Sequence, residues 1–283
     1  MPQLPADPPS AALLTALGLP EGATATRAPG GTDAPVWRLD AADRQYALRL
    51  RPAFAGPAMR RETEAMAYAR IGGLPVPEVL RAETIDDVSC LLTTWSPGET
   101  LAAALLEHGA DPARLGTACG RLMAQLHGLD APVVLAASAG WLRSTEVEAR
   151  LLAGVPDMTH SRLLHLDFHP FNILTDGREV TGVIDWVNAG AGDPRQDLAR
   201  TLAILRLVMP KAVPSSFTAP LAALTDAWLE GYEEIAGAPR GMKPFLGWAG
   251  LRTIRDLSAK FPPDALRVME AEVARWVEDA AEA

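Results

Sequence analysis

Cysteine is scarce: two residues in 283, Cys90 and Cys119, lie far apart. Nothing in that spacing fits a metal site or a disulfide framework, so both are expected to be semi-buried thiols in a reducing compartment. Long apolar runs are missing too; none approaches the roughly 18 residues that would suggest a membrane span. The N-terminus, "MPQLPADPPS", has neither a basic region nor an apolar one, so secretion is not indicated and a cytoplasmic protein is expected. Positive charge is in deficit, with 26 basic against 35 acidic residues and a net charge of −9, which argues against general nucleic-acid binding. Lysine is nearly absent. All three (Lys211, Lys243, Lys260) come late, and the first 95 residues hold none. Internal repeats and low-complexity segments are absent as well.

What remains, 48% hydrophobic and 22% charged residues, is enough for one large domain or two lobes with a sizeable core. The pattern divides the chain. Residues 1–20 read as a proline-rich tail or short helix. Residues 21–95 alternate like strands: "VWRLD" (36–40) and "QYALRL" (45–50) flank "AADR" as in a hairpin, and "VSCLLTTW" (88–95) is another strand. Between them "AMRRETEAMAYARIGG" predicts a helix ending at Gly72-Gly73, with Met59, Met66 and Ile71 among its apolar positions. After the punctuated "SPGET" (96–100), residues 96–283 turn helical, apart from a strand-like "LLHLDFHPFNIL" (163–174) and a short strand in "EVTGVIDWV". The expected architecture is α+β and bilobal, with a small antiparallel sheet followed by a larger helical lobe.

"LLHLDFHPFNIL" carries His165, Asp167, His169 and Asn172 between apolar runs, groups that are costly to bury unless they satisfy one another or line a site. A carboxylate with an amide five residues later suits a catalytic loop. Asp167 can accept a proton or orient a hydroxyl, and the Asn172 oxygen can ligate a hard cation. Thirteen residues beyond Asn172, Asp185 ends a short apolar strand and could complete a Mg²⁺ site. A divalent ion bridging phosphates, with an Asp near the acceptor hydroxyl, is the apparatus of phosphoryl transfer. With 5 His, 18 Asp and 2 Asn in the chain, shuffling yields about 0.002 matches to H-x-D-x₄-N.

"HLDFHPFNIL" followed by "VIDWVNAGAGDPRQDLA" resembles the aminoglycoside phosphotransferase family, which shares the protein-kinase-like fold with the choline kinases. The similarity runs from about Thr26 to about Tyr232. It implies that Asp167 is the catalytic Asp, that Asn172 and Asp185 are metal ligands, and that ATP (with GTP as the other candidate nucleotide) and Mg²⁺ are the cofactors. His165 would brace the loop, His169 would be structural, and Asp197 would support the loop from below. Asp193 is expected only to cap the turn at Pro194. "YALRL" resembles the kinase strand in which Ala47 lies under adenine and position 49 points at phosphate. Arg49 stands there instead of Lys. Arg binds phosphate bidentately and is always charged. Glu62 matches the helix Glu that pairs with this cation. "APGGTDAP" lacks G-x-G-x-x-G, but Gly30 and Gly31 fall where the nucleotide-covering loop falls, and "LLTTWSPGE" is similar to the hinge, with backbone near Thr93, Thr94 and Trp95 meeting adenine.

The implied activity is transfer of the γ-phosphoryl of ATP to a hydroxyl of a small molecule, such as an aminoglycoside-like antibiotic or an amino alcohol. The alternative is a nucleotide-binding pseudokinase, for which the missing Lys argues. A protein kinase is disfavoured, because no A-P-E segment follows Asp185. Asp226, Glu230, Glu233 and Glu234 form an acidic stripe in "TDAWLEGYEEI"; a solvated helix face is preferred for it over an acceptor site. Neither a membrane nor a nucleic acid is expected as partner, and oligomeric state is left open.

Overall fold

A computed structural model describes residues 8–28, 35–42, 44–136, 144–159 and 161–282. Near the N-terminus, Ser10 caps a short helix, α1 (Ala11–Ala16), by accepting from the Leu13 N–H. Leu14, Leu17 and Leu19 reach the core of the first lobe. That lobe is a sheet of β1 (Thr24–Arg27), β2 (Val36–Ala41), β3 (Arg44–Pro52), β4 (Val79–Ile85) and β5 (Val88–Thr94), with α2 (Gly56–Ile71) between β3 and β4. The strand order is β1-β2-β3-β5-β4, and every pairing is antiparallel. Alternation along β3 buries Leu48 and Leu50 against Trp37, Leu39, Cys90 and Leu92, so Ala47 and Arg49 share the opposite face. The sequence reading missed β1 and β4. Both lie at edges of the sheet; β1 is mostly exposed and β4 has no fully buried residue, so neither shows a clean alternation of apolar and polar positions.

Helix α2 ends as expected, capped at Gly72 with Gly73 at φ +85°. One position differs. Ile71 is 84% exposed, because the buried face follows Met59, Glu62, Ala65, Met66 and Ala69 at helical spacing. Ala65, Met66 and Ala69 belong to the core of the second lobe rather than to that of the sheet. The helix therefore carries Glu62 to the junction of the two lobes.

The second lobe opens with β6 (Glu99–Thr100), α3 (Leu101–Glu107), α4 (Pro112–His127), α5 (Val133–Ala136) and α6 (Glu146–Ala153). Asp111 caps α4, as its place before Pro112 suggests. The segment read as one strand is strand, loop and strand: β7 (Arg162–Leu164), then residues 165–172, then β8 (Ile173–Thr175), followed by β9 (Val180–Val183) and β10 (Gly190–Gly192). β7 pairs with β10, and β8 lies between β6 and β9. The chain continues through α7 (Pro194–Ala203), a π-helical turn over residues 204–208, α8 (Met209–Ala212), α9 (Thr218–Ala236), α10 (Met242–Leu257) and α11 (Pro263–Ala281). None of the helices is long and apolar enough to cross a membrane, among the described residues.

Helices α4 and α9 approach unusually closely through glycines. A Cβ on Gly120 would lie 2.0 Å from the Trp228 carbonyl oxygen, and one on Gly231 would lie 2.3 Å from that of Thr117. This contact sets His127, at the end of α4, against Tyr232. Gly120→Ala is expected to destabilise by about 3 kcal/mol through overpacking, lowering Tm by on the order of 5–10 °C for a chain of this size. A melting scan checks it, and an unchanged Tm would mean that the helix pair can part without cost.

Candidate active site

Residues 165–172 leave β7 through Leu166, which takes φ +63°, a conformation a Leu adopts only when its surroundings impose it. The imposing group is Asp197 in the first turn of α7. Fully buried, it accepts the His165 N–H at 2.6 Å and the Leu166 N–H at 2.8 Å. His127 Nε2 lies 3.3 Å from the same carboxylate, and His127 Nδ1 lies 2.9 Å from the Tyr232 hydroxyl. Burial pushes the Tyr232 phenol up, which suits it to donate to His127. Thr201 Oγ1 donates to the Phe168 carbonyl at 2.8 Å. The loop is thus held from beneath by α4, α7 and α9.

The His165 ring is buried between Phe168 and Trp186. Its Nδ1 accepts the Asp167 N–H at 3.3 Å, and its Nε2 meets the Ile184 carbonyl at 3.1 Å. Burial holds its pKa below the usual value, as a neutral ring with one acceptor and one donor nitrogen requires. His165 therefore ties the loop to the segment that carries Asp185. Asn172 adds a second tie, since its carbonyl accepts the Ile184 N–H at 2.9 Å.

Asp167 sits at the lip of this frame with its side chain 21% exposed. One oxygen is 3.4 Å from His169 Nε2, and the other is 3.2 Å from Asn172 Nδ2. The Asn172 amide nitrogen also donates to the Asp167 carbonyl at 3.0 Å. Burial alone would raise the Asp167 pKa, but the charge and hydrogen bond of His169, with help from Arg200, outweigh it and hold the carboxyl at about 2.

Asp185 follows β9 with φ +60° and its side chain 37% exposed. Arg49 reaches it from the other lobe, Nη1 to Oδ1 at 3.0 Å. The same guanidinium is ion-paired with Glu62, which is buried on α2. Burial opposes the Arg49 charge, but Glu62 and Asp185 more than restore it, so its pKa is raised. This bridge brings together residues 49, 62 and 185, which are far apart in sequence.

Because the Asn172 nitrogen is committed to Asp167, its oxygen is left for another partner. Asn172 and Asp185 then offer oxygen ligands only, a donor set for a hard cation. Among the described residues no group of three or more His, Cys, Asp and Glu could hold a metal alone. Two protein oxygens with the remainder supplied by phosphates and water is the arrangement Mg²⁺ favours, so these residues fit Mg²⁺ with a nucleotide.

Ala47 lies opposite Thr93 in the β3–β5 register, on the Arg49 face. The Thr94 N–H donates to Glu78 O and the Trp95 N–H to Gln45 O, at 2.9 and 3.1 Å. Gly30 and Gly31 lie outside the described residues. Asp193 caps α7 in a capping box with Gln196 and pairs with Arg195, a structural role. Asp226, Glu230, Glu233 and Glu234 are all exposed on α9, Glu234 paired with Arg121. The inward face of α9 presents Trp228 to Phe168, so the stripe points away from Asp167. The sequence reading missed His127, Arg200, Thr201 and Tyr232 around the loop. Only their helical phase relative to Asp197 and Trp228 hints at them.

The sequence model of the phosphotransferase enzyme family matches residues 24–144 and 139–245. No curated protein matches the chain. Among solved structures, an aminoglycoside-3'-phosphotransferase of type VIII is similar at 24% identity and TM-score 0.63, over 86% of this chain and 97% of that one. A thermostable mutant of aminoglycoside phosphotransferase APH(4)-Ia, in ternary complex with AMP-PNP and hygromycin B, shares 19% identity and TM-score 0.61, over 92% and 95%. The macrolide 2'-phosphotransferase MphH from Brachybacterium faecium shares 22% identity and TM-score 0.56, over 93% and 96%. The architecture is therefore the bilobal protein-kinase-like α+β fold, and the chain belongs to the phosphotransferase enzyme family.

Proposed function

We propose that this chain transfers the γ-phosphoryl group of ATP to a hydroxyl of a small molecule in the cytoplasm. The observation that carries the reading is the bridge from Asp185 to Arg49 and Glu62 of the other lobe, beside a loop in which Asn172 is hydrogen-bonded to Asp167 and tied to the segment carrying Asp185. Asp167 accepts a hydrogen bond from the acceptor O–H and aims its oxygen at phosphorus. As the new O–P bond forms, the bond to the β–γ bridging oxygen breaks, ADP leaves with that electron pair, and the acceptor proton passes to Asp167. Asn172 and Asp185 would hold Mg²⁺, which when bound neutralises charge on the phosphates. Arg49, oriented by Glu62, contacts phosphate oxygens once nucleotide draws it from Asp185. Ala47 lines the adenine side, and Thr94 and Trp95 form the hinge edge.

The test is ADP release, with Mg²⁺ and ATP, across aminoglycosides, macrolides, amino alcohols, sugars and hydroxy acids. Acceptor-dependent ADP supports the reading. Nucleotide binding without turnover on any acceptor would favour the pseudokinase alternative, which the Arg in place of Lys keeps alive. Arg49→Ala is expected to lower kcat/KM for ATP by roughly 10- to 150-fold, the worth of a charge-assisted hydrogen bond. Sequence reasoning places Arg49 on a partly solvated face, where its loss leaves stability unchanged. The structure changes that expectation, because Arg49→Ala strands a buried Glu62, at a cost of about 3–5 kcal/mol. Arg49→Lys keeps a charge beside Glu62, so it should retain most of the Tm and recover only part of kcat/KM. Wild-type kcat/KM in both variants would leave the phosphates to other groups.

A further inference from the structure

Residues 165–172 carry one apolar side chain that the packing does not use. Phe168 is fully buried, but Phe171 is 43% exposed and takes part in none of the three apolar cores of the described residues. The other large apolar side chains left in solvent, Phe54 and Ile71 among them, all lie outside this loop. The backbone around Phe171 is tied on both sides. The Pro170 carbonyl accepts the Ala102 N–H from the first turn of α3 at 3.0 Å, and the Asn172 N–H donates to the His169 carbonyl at 2.8 Å. The loop thus presents a phenyl ring to solvent from a fixed backbone, the preorganisation that a binding surface uses.

Short distances lead from this ring to Asp167. The Phe171 N–H donates to His169 Nδ1 at 3.3 Å. The other nitrogen of that imidazole, Nε2, lies 3.4 Å from Asp167 Oδ1. The His169 and Phe171 rings meet edge to face, with centroids 6.1 Å apart and planes at 75°, a favourable aromatic arrangement. Carboxylate, imidazole and phenyl therefore follow one another along the lip of the loop. The second Asp167 oxygen faces Asn172 instead.

We infer that Phe171 is a wall of the acceptor site, and that the acceptor is a hydroxyl compound with a flat apolar face, the C–H face of a sugar ring or an aromatic ring, close to its reacting hydroxyl. In phosphoryl transfer the attacking and leaving oxygens stand in line on opposite sides of phosphorus. Asn172 and Asp185 mark the phosphate side, so the acceptor comes to Asp167 past His169, and the atoms behind its hydroxyl meet Phe171. Covering the phenyl removes apolar surface of both partners from water, a gain that a linear polyol does not supply. A polycation would call for carboxylates around the ring. Residues 165–172 hold only Asp167, and the acidic stripe of α9 points away from it. The inference rests on the phosphotransferase reading of Asp167 and names the acceptor class for that site.

The test compares alcohols with and without a ring: glycerol, phenoxypropanediol (the same diol with one aromatic ring), methyl glucoside and phenyl glucoside, with choline and kanamycin as cations. ADP release is measured for each with ATP and Mg²⁺, and melting temperature is measured with each compound plus a non-hydrolysable ATP analogue and Mg²⁺. The best ring-bearing alcohol is expected to exceed glycerol and both cations in kcat/KM by about tenfold or more. Methyl glucoside against phenoxypropanediol decides between a sugar face and an aromatic one. Phe171→Ala should erase the advantage through the acceptor KM rather than the KM for ATP. Phe171→Tyr should keep it, and Phe171→Leu should keep part of it; if Phe171→Ala does not fold, Phe171→Leu decides. A wild-type preference for glycerol or for the cations, or an advantage unmoved by Phe171→Ala, overturns the inference. So does a loss that falls on the KM for ATP, which would make the ring a nucleotide contact. A series in which nothing binds or turns over while the analogue still raises Tm overturns it as well. If the analogue itself does not bind, the phosphotransferase reading is what fails.

Discussion

Replacing Asp167 by Asn is expected to cut kcat by about 10²–10⁴-fold, with ATP binding and Tm close to wild type. Asn preserves shape and can still meet Asn172 and His169, but it can neither take the acceptor proton nor hold the O–H by a charge-assisted bond. The depressed pKa of Asp167, about 2, refines the role. Such a carboxylate is a weak base at neutral pH, where an efficient general base would titrate near the working pH. In a loose phosphoryl-transfer transition state little nucleophile activation is needed, so Asp167 acts mainly by orienting the hydroxyl and receives the proton late. Because its pKa is lowered, Asp167 stays ionised at every pH above about 4. The kcat profile should therefore show no acid limb from this group between pH 5 and 8. Single-turnover rates with a saturating acceptor separate the outcomes. A variant as fast as wild type would remove Asp167 from the chemistry, whereas an acid limb near neutrality abolished by Asp167→Asn would show that His169 and Arg200 do not hold its proton off.

Much of this site is legible in the sequence because its residues crowd into short segments. His165, Asp167, Asn172 and Asp185 fall within about twenty positions, and the strand pairing of residues 173 and 183 is a local hairpin, so spacing alone brings them near one another. Arg49 and Glu62 were reachable by strand alternation and by resemblance to a family pattern. The same alternation placed Arg49 on the cleft face but could not show that its partner is wholly buried. That depends on α2 packing onto the core of the other lobe through Ala65, Met66 and Ala69, a tertiary fact. The supports beneath the loop were illegible for the same reason. His127 meets Asp197 only because glycines at 120 and 231 let two helices touch. Single residues spread over separate helices leave no periodic trace, and the ion pair of Glu148 with Arg255 joins helices more than a hundred positions apart. Strands β1 and β4 escaped because both are edge strands without a buried face, so neither carries a regular alternation of apolar and polar residues.

The second large effect is expected at Asp185. Asp185→Asn should lower kcat/KM by about 10³-fold, the scale of the charge stabilisation a divalent ion gives to transferring phosphate, and should raise the Mg²⁺ concentration needed for half-maximal rate. The argument is one of ligands. Asn172 gives a single neutral oxygen, since its nitrogen is spent on Asp167, so without the Asp185 charge the protein offers the cation no anion at all among the pair. Asn is preferred to Ala for the test because position 185 has φ +60°, a conformation Asn tolerates and Ala does not. Loss of activity in Asp185→Asn then reports charge rather than backbone strain. The substitution also frees Arg49, which keeps Glu62 but loses its partner across the cleft. Nucleotide affinity without Mg²⁺ should therefore hold or rise slightly while turnover collapses, a split that simple misfolding would not give. Titrating Mg²⁺ against rate, and the analogue against Tm in EDTA, separates the two. An Asp185→Asn protein with a wild-type Mg²⁺ curve would take the metal away from this residue and leave the bridge to Arg49 as a purely structural latch between the lobes.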